Sequence, residues 1–330
     1  MELHNIYNNK TVLVTGASGL IGSNLVNCIM ENEGVNMIVV GRSKSKLEQV
    51  FSQHASKENF HIVEHDINMP LPQLVGQVDY LYHAASPISG ETIQNEPVSV
   101  VSTNLCGVLN CLDYLKVQKE TTGAIGTLIV FSSATVYGKT KEEDEIVNET
   151  DTQLADTLDH PNAPYSEAKR MVEVVARAYN KQYGIDVKIA RFSYIYGYTA
   201  VPPKTAFYSF IGKVLEGQDL VFMKSGFARR DNIYIDDAIE GLLYVTEYGI
   251  GGEAYNISAC QDGGNFAAID EMAEYIVKAA GNGVKVFVSP SNGRAGGIAL
   301  GNEKLKALGW SVKTSLEEGI TYIYNRYKQK

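Results

Sequence analysis

The chain has 330 residues, 45% of them hydrophobic and 20% charged, ordinary globular usage that excludes a disordered chain and allows a sizeable core. A formal net charge of −9 at pH 7 excludes general phosphate-backbone binding as the main role, although local basic pockets can still hold anionic small molecules. Nucleic acid is not an expected partner.

The start, MELHNIYNNK, is polar and lacks a basic stretch followed by an apolar run and a cleavage site. No run reads as long enough to span a membrane, so a cytoplasmic protein is expected. Cys28, Cys106, Cys111 and Cys260 make no CxxC pair, and the histidines form no HExxH pattern. Reduced thiols and no structural metal follow as the expectation.

TVLVT (11–15) opens a series of short β-rich runs, followed by MIVVG (37–41), HIVEHD (61–66), YLYHAA (80–85), TLIVFSS (127–133) and VKIARF (187–192). Between them, Ile21–Glu31, Pro97–Lys116 and Tyr165–Tyr183 have helical length and mixed apolar periodicity. Such alternation predicts an α/β fold, a Rossmann-like doubly wound parallel sheet with helices on both faces. After Arg191 the alternation weakens through Tyr194–Lys204 into a mixed region ending in EKLKALGW, while YNIS (255–258) reads as a late strand returning to the sheet. The expected division is a main domain over 1–192, rejoined by about 233–262, and a smaller, discontinuous domain over 193–232 and 263–330.

The first run leads directly into TGASGLIG, which sets Gly16, Gly19 and Gly22 at GxxGxxG spacing. Glycine there permits a tight turn and close backbone approach to a pyrophosphate, whose charge the following helix N-terminus favours. Because the motif follows a β-run and precedes a helical one, the turn, with Leu20 and Ile21 opening the helix, reads as a dinucleotide site. Where an acid would ordinarily hold the ribose of NAD stand Gly41, Arg42 and Ser43. Arg42 can pair with a 2′-phosphate, with Ser43 and Lys46 assisting, which favours NADP(H), with NAD(H) the alternative.

YSEAK places Tyr165 and Lys169 at i and i+4, on one helical face. A lysine charge there lowers the phenol's pKa and helps it exchange a proton with a hydroxyl or carbonyl. Ser133, in FSSATVYG, stands at a strand end where its hydroxyl can bond the same reacting oxygen.

Together TGASGLIG, HDI (65–67), HAAS (83–86), TNLCG (103–107), SSATVYG (132–138), YSEAK, RFSYIYG and RRDNIYIDD resemble the extended short-chain dehydrogenase/reductase family, in its nucleotide-sugar epimerase/dehydratase branch, over almost the whole chain. The resemblance implies an NAD(P)-binding first domain and a substrate domain after it. It implies Ser133, Tyr165 and Lys169 as the catalytic group, Lys169 also holding the nicotinamide ribose with Tyr165 nearby. Asp66 and Ile67 would flank adenine, and Ala84, Ala85 and Asn104 would lie along the cofactor. Arg230 would contact a nucleotide diphosphate, Arg294 is a further candidate, and Ser86, Thr135 and Tyr194 would meet the substrate. A homodimer through the helices Pro97–Lys116 and Tyr165–Tyr183 is also implied.

Two departures narrow the reaction. Ala134 and Thr135 stand where dehydratases of this branch carry an Asp-Glu pair and decarboxylases keep the glutamate. With no carboxylic acid there to protonate a departing hydroxyl, 4,6-dehydration is disfavoured. Tyr194 replaces an asparagine usual in the branch, which alters contacts to the sugar or its first phosphate. The expected activity is 4-epimerisation of a nucleotide sugar through a transient 4-keto sugar. The alternatives are NADPH-dependent reduction of a nucleotide 4-keto sugar, decarboxylation of a nucleotide uronic acid, and a non-catalytic NADP-binding regulator.

Overall fold

The computed structural model describes residues 5–72, 76–87, 89–138, 144–151, 157–203, 205–223, 227–289 and 296–329. In chain order these form β1 (Thr11–Thr15), α1 (Leu20–Ile29), β2 (Asn36–Gly41), α2 (Lys44–Val50), β3 (Phe60–Glu64), β4 (Tyr80–His83), α3 (Gly90–Asn95) and α4 (Pro97–Thr122). There follow β5 (Thr127–Ser133), β6 (Glu145–Val147), α5 (Ala163–Tyr183), β7 (Asp186–Phe192), β8 (Tyr194–Tyr196), α6 (Ala206–Leu215) and β9 (Leu220–Phe222). The chain ends with β10 (Arg230–Tyr234), α7 (Ile235–Tyr248), β11 (Ala254–Ile257), β12 (Phe266–Ala267), α8 (Ile269–Ala280), β13 (Val286–Val288), β14 (Ile298–Leu300), α9 (Glu303–Lys306) and α10 (Leu316–Lys328).

Over its described residues the chain forms two compact units, one of 1–138, 155–191 and 242–255, the other of 139–154, 192–241 and 256–330. The first is built on a seven-stranded sheet in the order β11-β7-β5-β4-β1-β2-β3, parallel from β5 through β3. Its strands are nearly continuous buried runs, as a sheet covered on both faces requires. The order reverses between β1 and β4, so the loops after these two strands open the crevice where a doubly wound sheet takes its ligand.

Helices end where their sequences dictate. Pro97 opens α4, where a missing N–H costs nothing, and Gly123 closes it with a left-handed φ of 75°, so the helix runs past Lys116 for six further residues, to Thr122. Gly184 ends α5 in the same way at φ 61°. Among the described helices α4 has the length and composition of a membrane span, which corrects the expectation that no run reaches that size. Here Val108, Cys111, Leu112 and Leu115 of α4 lie in the core against Leu81, Leu128 and Val130, so the apolar content serves the sheet.

The second unit has a five-stranded sheet, β12-β10-β14-β6 with β8 beside β10, and a two-stranded sheet of β13 and β9. Its centre is aromatic: the Tyr196 ring meets those of Phe207 and Tyr234, each with centroids 5.8 Å apart and near edge-on. A capping box at Ser315 and Glu318 starts α10.

Candidate active site

The glycine turn after β1 is shaped for close backbone approach. Gly16 has φ 65°, and a Cβ there would sit 2.6 Å from the Ala85 backbone in the loop after β4. At Gly22 a Cβ would meet the Gly16 carbonyl at 2.6 Å. Only hydrogen fits either position, so the two loops of the switch point pack main chain on main chain. Gly19, the N-cap of α1, supplies no capping side chain, leaving the first amides of the helix for an anionic ligand. These features fit the pyrophosphate of a dinucleotide.

At the far edge, Arg42 is exposed just beyond β2. Ser43 caps α2, its Oγ accepting from the Lys46 amide at 3.3 Å. The Asp66 carboxylate accepts from the amide and side chain of Asn68 at 3.0 and 2.9 Å. The Ile67 side chain is a core residue, and its carbonyl accepts from Asn110 at 2.7 Å. The predicted runs 61–66 and 80–85 are thus shorter strands, and Asp66, Ala84 and Ala85 occupy loops at the carboxyl ends.

The catalytic candidates meet at the end of β5. The Tyr165 phenol shares hydrogen bonds with the hydroxyls of Ser133 and Ser86. Ser86 Oγ donates to Asn104 Oδ1 at 3.0 Å, and Asn104, fully buried on α4, donates to the Val100 carbonyl at 2.8 Å. Lys169 donates to the Phe131 carbonyl at 2.7 Å, with its nitrogen 5.7 Å from the centre of the Tyr165 ring. Burial drives the Lys169 ammonium down to about 7, with Glu173 pulling the other way. Burial also raises the Tyr165 phenol, against the two serine bonds that favour its anion. The phenol therefore stands above its ordinary value, contrary to the expected lowering by Lys169: burial dominates, and the opposing effects come from Ser133 and Ser86. Thr135 points a buried Oγ1 without a hydrogen-bond partner, while its amide donates to Ser133 Oγ at 3.3 Å.

Several residues around this group were not singled out in the sequence. His83 shares a 2.9 Å hydrogen bond with Thr15 Oγ1 and is pushed down to about 3 by burial and the Lys169 charge, so it is a neutral strut. Gly107 makes room for it, since a Cβ there would lie 2.6 Å from the His83 ring. Ser132, Tyr137, Glu173 and Arg191 form a buried polar cluster behind the site. The available signal was Glu173, which continues the Tyr165–Lys169 spacing by another four residues.

In the second unit, parallel pairing of β8 with β10 brings Tyr194 to Arg230, whose guanidinium lies 5.6 Å from the ring centre. Next to Arg230, buried Asp231 accepts from the Leu300 amide at 2.9 Å, and burial pushes its carboxyl up to about 7. Arg294 lies outside the described residues.

Known proteins resemble this chain in sequence and in fold. The family model described as NAD dependent epimerase/dehydratase family matches residues 12–258. UDP-glucuronic acid decarboxylase 6 of Arabidopsis thaliana is 29% identical over 329 residues, covering 97% of this chain and 89% of the relative. The UDP-glucuronic acid 4-epimerase of Bacillus cereus, solved with UDP-glucuronic acid and NAD, is 26% identical with a TM-score of 0.79, covering 97% of this chain and 99% of that one. An epimerase of Methanothermobacter thermautotrophicus has the same fold, with a TM-score of 0.81 at 22% identity over 98% of this chain and 94% of its own.

Proposed function

Because this chain belongs to the NAD-dependent epimerase/dehydratase family of extended short-chain dehydrogenase/reductase enzymes, we propose that it is a nucleotide-sugar 4-epimerase working through a transient 4-keto sugar. The observation that carries this reading is the set of Ser133, Tyr165 and Lys169 at the end of β5, followed by a turn in which Ala134 and Thr135 offer no carboxyl group. A UDP-linked sugar is the first substrate class to test, since two of the three relatives named above are described with UDP-glucuronic acid.

In this reading Tyr165 takes the proton of the C4 hydroxyl and returns it after the sugar has turned its other face. Ser133 bonds the same oxygen, steadying charge as the proton leaves. Lys169, when charged, favours the Tyr165 anion and holds the ribose of the dinucleotide. The glycine turn, Leu20, Ile21, Ala84, Ala85 and Asn104 line the remainder of the dinucleotide, which when bound supplies the hydride acceptor. Ser86 and Thr135 address the sugar, Thr135 with its spare hydroxyl, and Tyr194 with Arg230 the nucleotide diphosphate.

Purified enzyme given UDP-glucuronic acid and a panel of other nucleotide sugars is expected to form the 4-epimer without added NAD(P)H. Release of carbon dioxide with a UDP-pentose would instead support the decarboxylase reading, the activity named for the Arabidopsis relative. Stoichiometric NADPH oxidation would indicate a reductase, and inertness toward every sugar a regulator.

NADP(H) is the proposed cofactor form, on the charge of exposed Arg42 and the absence of an acid at positions 41–43. Arg42→Ala is expected to weaken NADP binding about tenfold or more, the worth of a charge-assisted hydrogen bond, and to leave NAD binding unchanged. Calorimetric titration of both dinucleotides checks this, and equal losses for the two would defeat it.

A cytoplasmic homodimer completes the proposal. Val98, Leu109 and Val117 on α4 and Met171 and Val174 on α5 are exposed apolar residues on two helices that pack together, a surface suited to a second copy. Val117→Asp with Val174→Asp should convert a sedimenting dimer to a monomer; a parent that already sediments as a monomer at all concentrations removes this part of the reading.

A further inference from the structure

Tyr165, Lys169 and Glu173 stand at successive fourth positions of α5, so one stripe of the helix carries all three. The proton chemistry uses the first two and leaves Glu173 without a task. Its carboxylate is buried, 7% exposed, and bound from two sides. Ser132 Oγ donates to Oε1 at 2.5 Å. Arg191 grips it as a fork, Nε to Oε1 at 2.9 Å and Nη2 to Oε2 at 2.7 Å. Arg191 in turn donates to the Tyr137 hydroxyl at 2.8 Å, with its guanidinium 5.0 Å over that ring.

Ser132 lies between the two β5 residues that serve the site. The carbonyl of Phe131 holds Lys169, and the hydroxyl of Ser133 meets Tyr165. Side chains alternate along a strand, so Ser132 points to the opposite face from Ser133 and is the anchor available from behind. A buried ion pair is a poor source of stability, because apolar residues of equal volume often do as well. What this one offers is placement: it joins α5, the end of β5, the turn at Ala134–Tyr137 and the end of β7.

We propose that Glu173 is a positioning residue for the catalytic group: clamped by Arg191, it fixes the end of β5 through Ser132 and sets its carboxylate one turn beyond Lys169. The proposal deepens the epimerase reading and rests on it for the roles of Ser133, Tyr165 and Lys169. Among the described residues, the titratable groups around Lys169 are Tyr165 and Glu173 on α5 and His83 on β4, with Arg191 of β7 behind Glu173. With His83 held neutral, Glu173 is the anion that opposes the burial of Lys169.

The test is a pH titration of the full-length protein labelled with 13Cε-lysine, the Lys169 resonance being identified by its loss in Lys169→Met. In Glu173→Gln the Lys169 midpoint should fall by roughly one unit, the effect of removing a nearby opposite charge. Should that variant fail to fold because Arg191 is left unpaired, Glu173→Gln with Arg191→Met removes both charges and is expected to show the same direction. Separately, Ser132→Ala keeps the ion pair and should melt near the parent, yet lose about tenfold in kcat at unchanged KM, with Ser132→Thr restoring it. An unshifted Lys169 midpoint in the folded charge variant, or parental kcat in Ser132→Ala, overturns the proposal. If the nucleotide-sugar reading is itself wrong, the parent shows no turnover, and the lysine titration still decides the role of Glu173.

Discussion

Tyr165→Phe is expected to keep the fold and the dinucleotide but to lose between about a hundredfold and ten-thousandfold in turnover, the range for a positioned acid–base group. The substitution removes one oxygen and preserves the ring that sits 5.7 Å from the Lys169 nitrogen. Ser133 and Ser86 then lose a shared partner, but Ser86 keeps Asn104 at 3.0 Å and Ser133 keeps the Thr135 amide at 3.3 Å, so little stability is lost. Single-turnover measurement of the identified substrate, with melting temperature and dinucleotide affinity recorded on the same sample, checks the claim. Parental turnover under conditions where chemistry limits the rate would show that the proton travels by another route.

Lys169→Met carries the second large effect, and it acts on stability and activity in opposite directions. The lysine is 4% exposed and its ammonium is pulled from an ordinary 10.5 down to about 7 by burial. Below pH 7 the folded and unfolded chains both carry this proton, and the folded chain bears the full cost of the buried charge. Between pH 7 and 10.5 the unfolded chain holds more of the proton, so this cost shrinks as pH rises and is gone above that window. Methionine of similar length avoids the cost, on the order of 3–5 kcal/mol at the acid end, and gives up one hydrogen bond to Phe131 worth about 1 kcal/mol. The variant should therefore be more stable than the parent at pH 6, with the gain shrinking as pH rises and giving way near pH 10.5 to a deficit of about 1 kcal/mol, the lost hydrogen bond. It should at the same time bind dinucleotide weakly and lose most turnover. Denaturant titration of both proteins across that range measures the gain, and a gain independent of pH would rule out the ammonium as its source.

The doubly wound core was legible because buried parallel strands leave near-continuous apolar runs, and β1 and β5 coincide with TVLVT and TLIVFSS. Helix ends were less legible: α4 runs on to Thr122 because Gly123, not the end of the apolar pattern, closes it. Gly16, Ser133, Tyr165 and Lys169 could be named because their chemistry depends on spacing along one strand, one turn or one helix face. Ser86 and Asn104 were readable from the family likeness alone, and their mutual bond was not.

The sequence by itself determined the class of fold, the glycine turn and the candidate catalytic side chains, since local period and residue type suffice for these. Only the tertiary structure decided how those side chains are held. The clamp on Glu173 joins residues 132, 137, 173 and 191 from four separate elements. The descent of Lys169 toward 7 comes from burial beneath β4 and β5 neighbours that no window around YSEAK contains. Likewise β6, a three-residue strand, has a place because β14 pairs with it from 153 positions further along. Each of these depends on contacts distant in sequence, and desolvation depends on what surrounds a group in space, which local pattern does not encode.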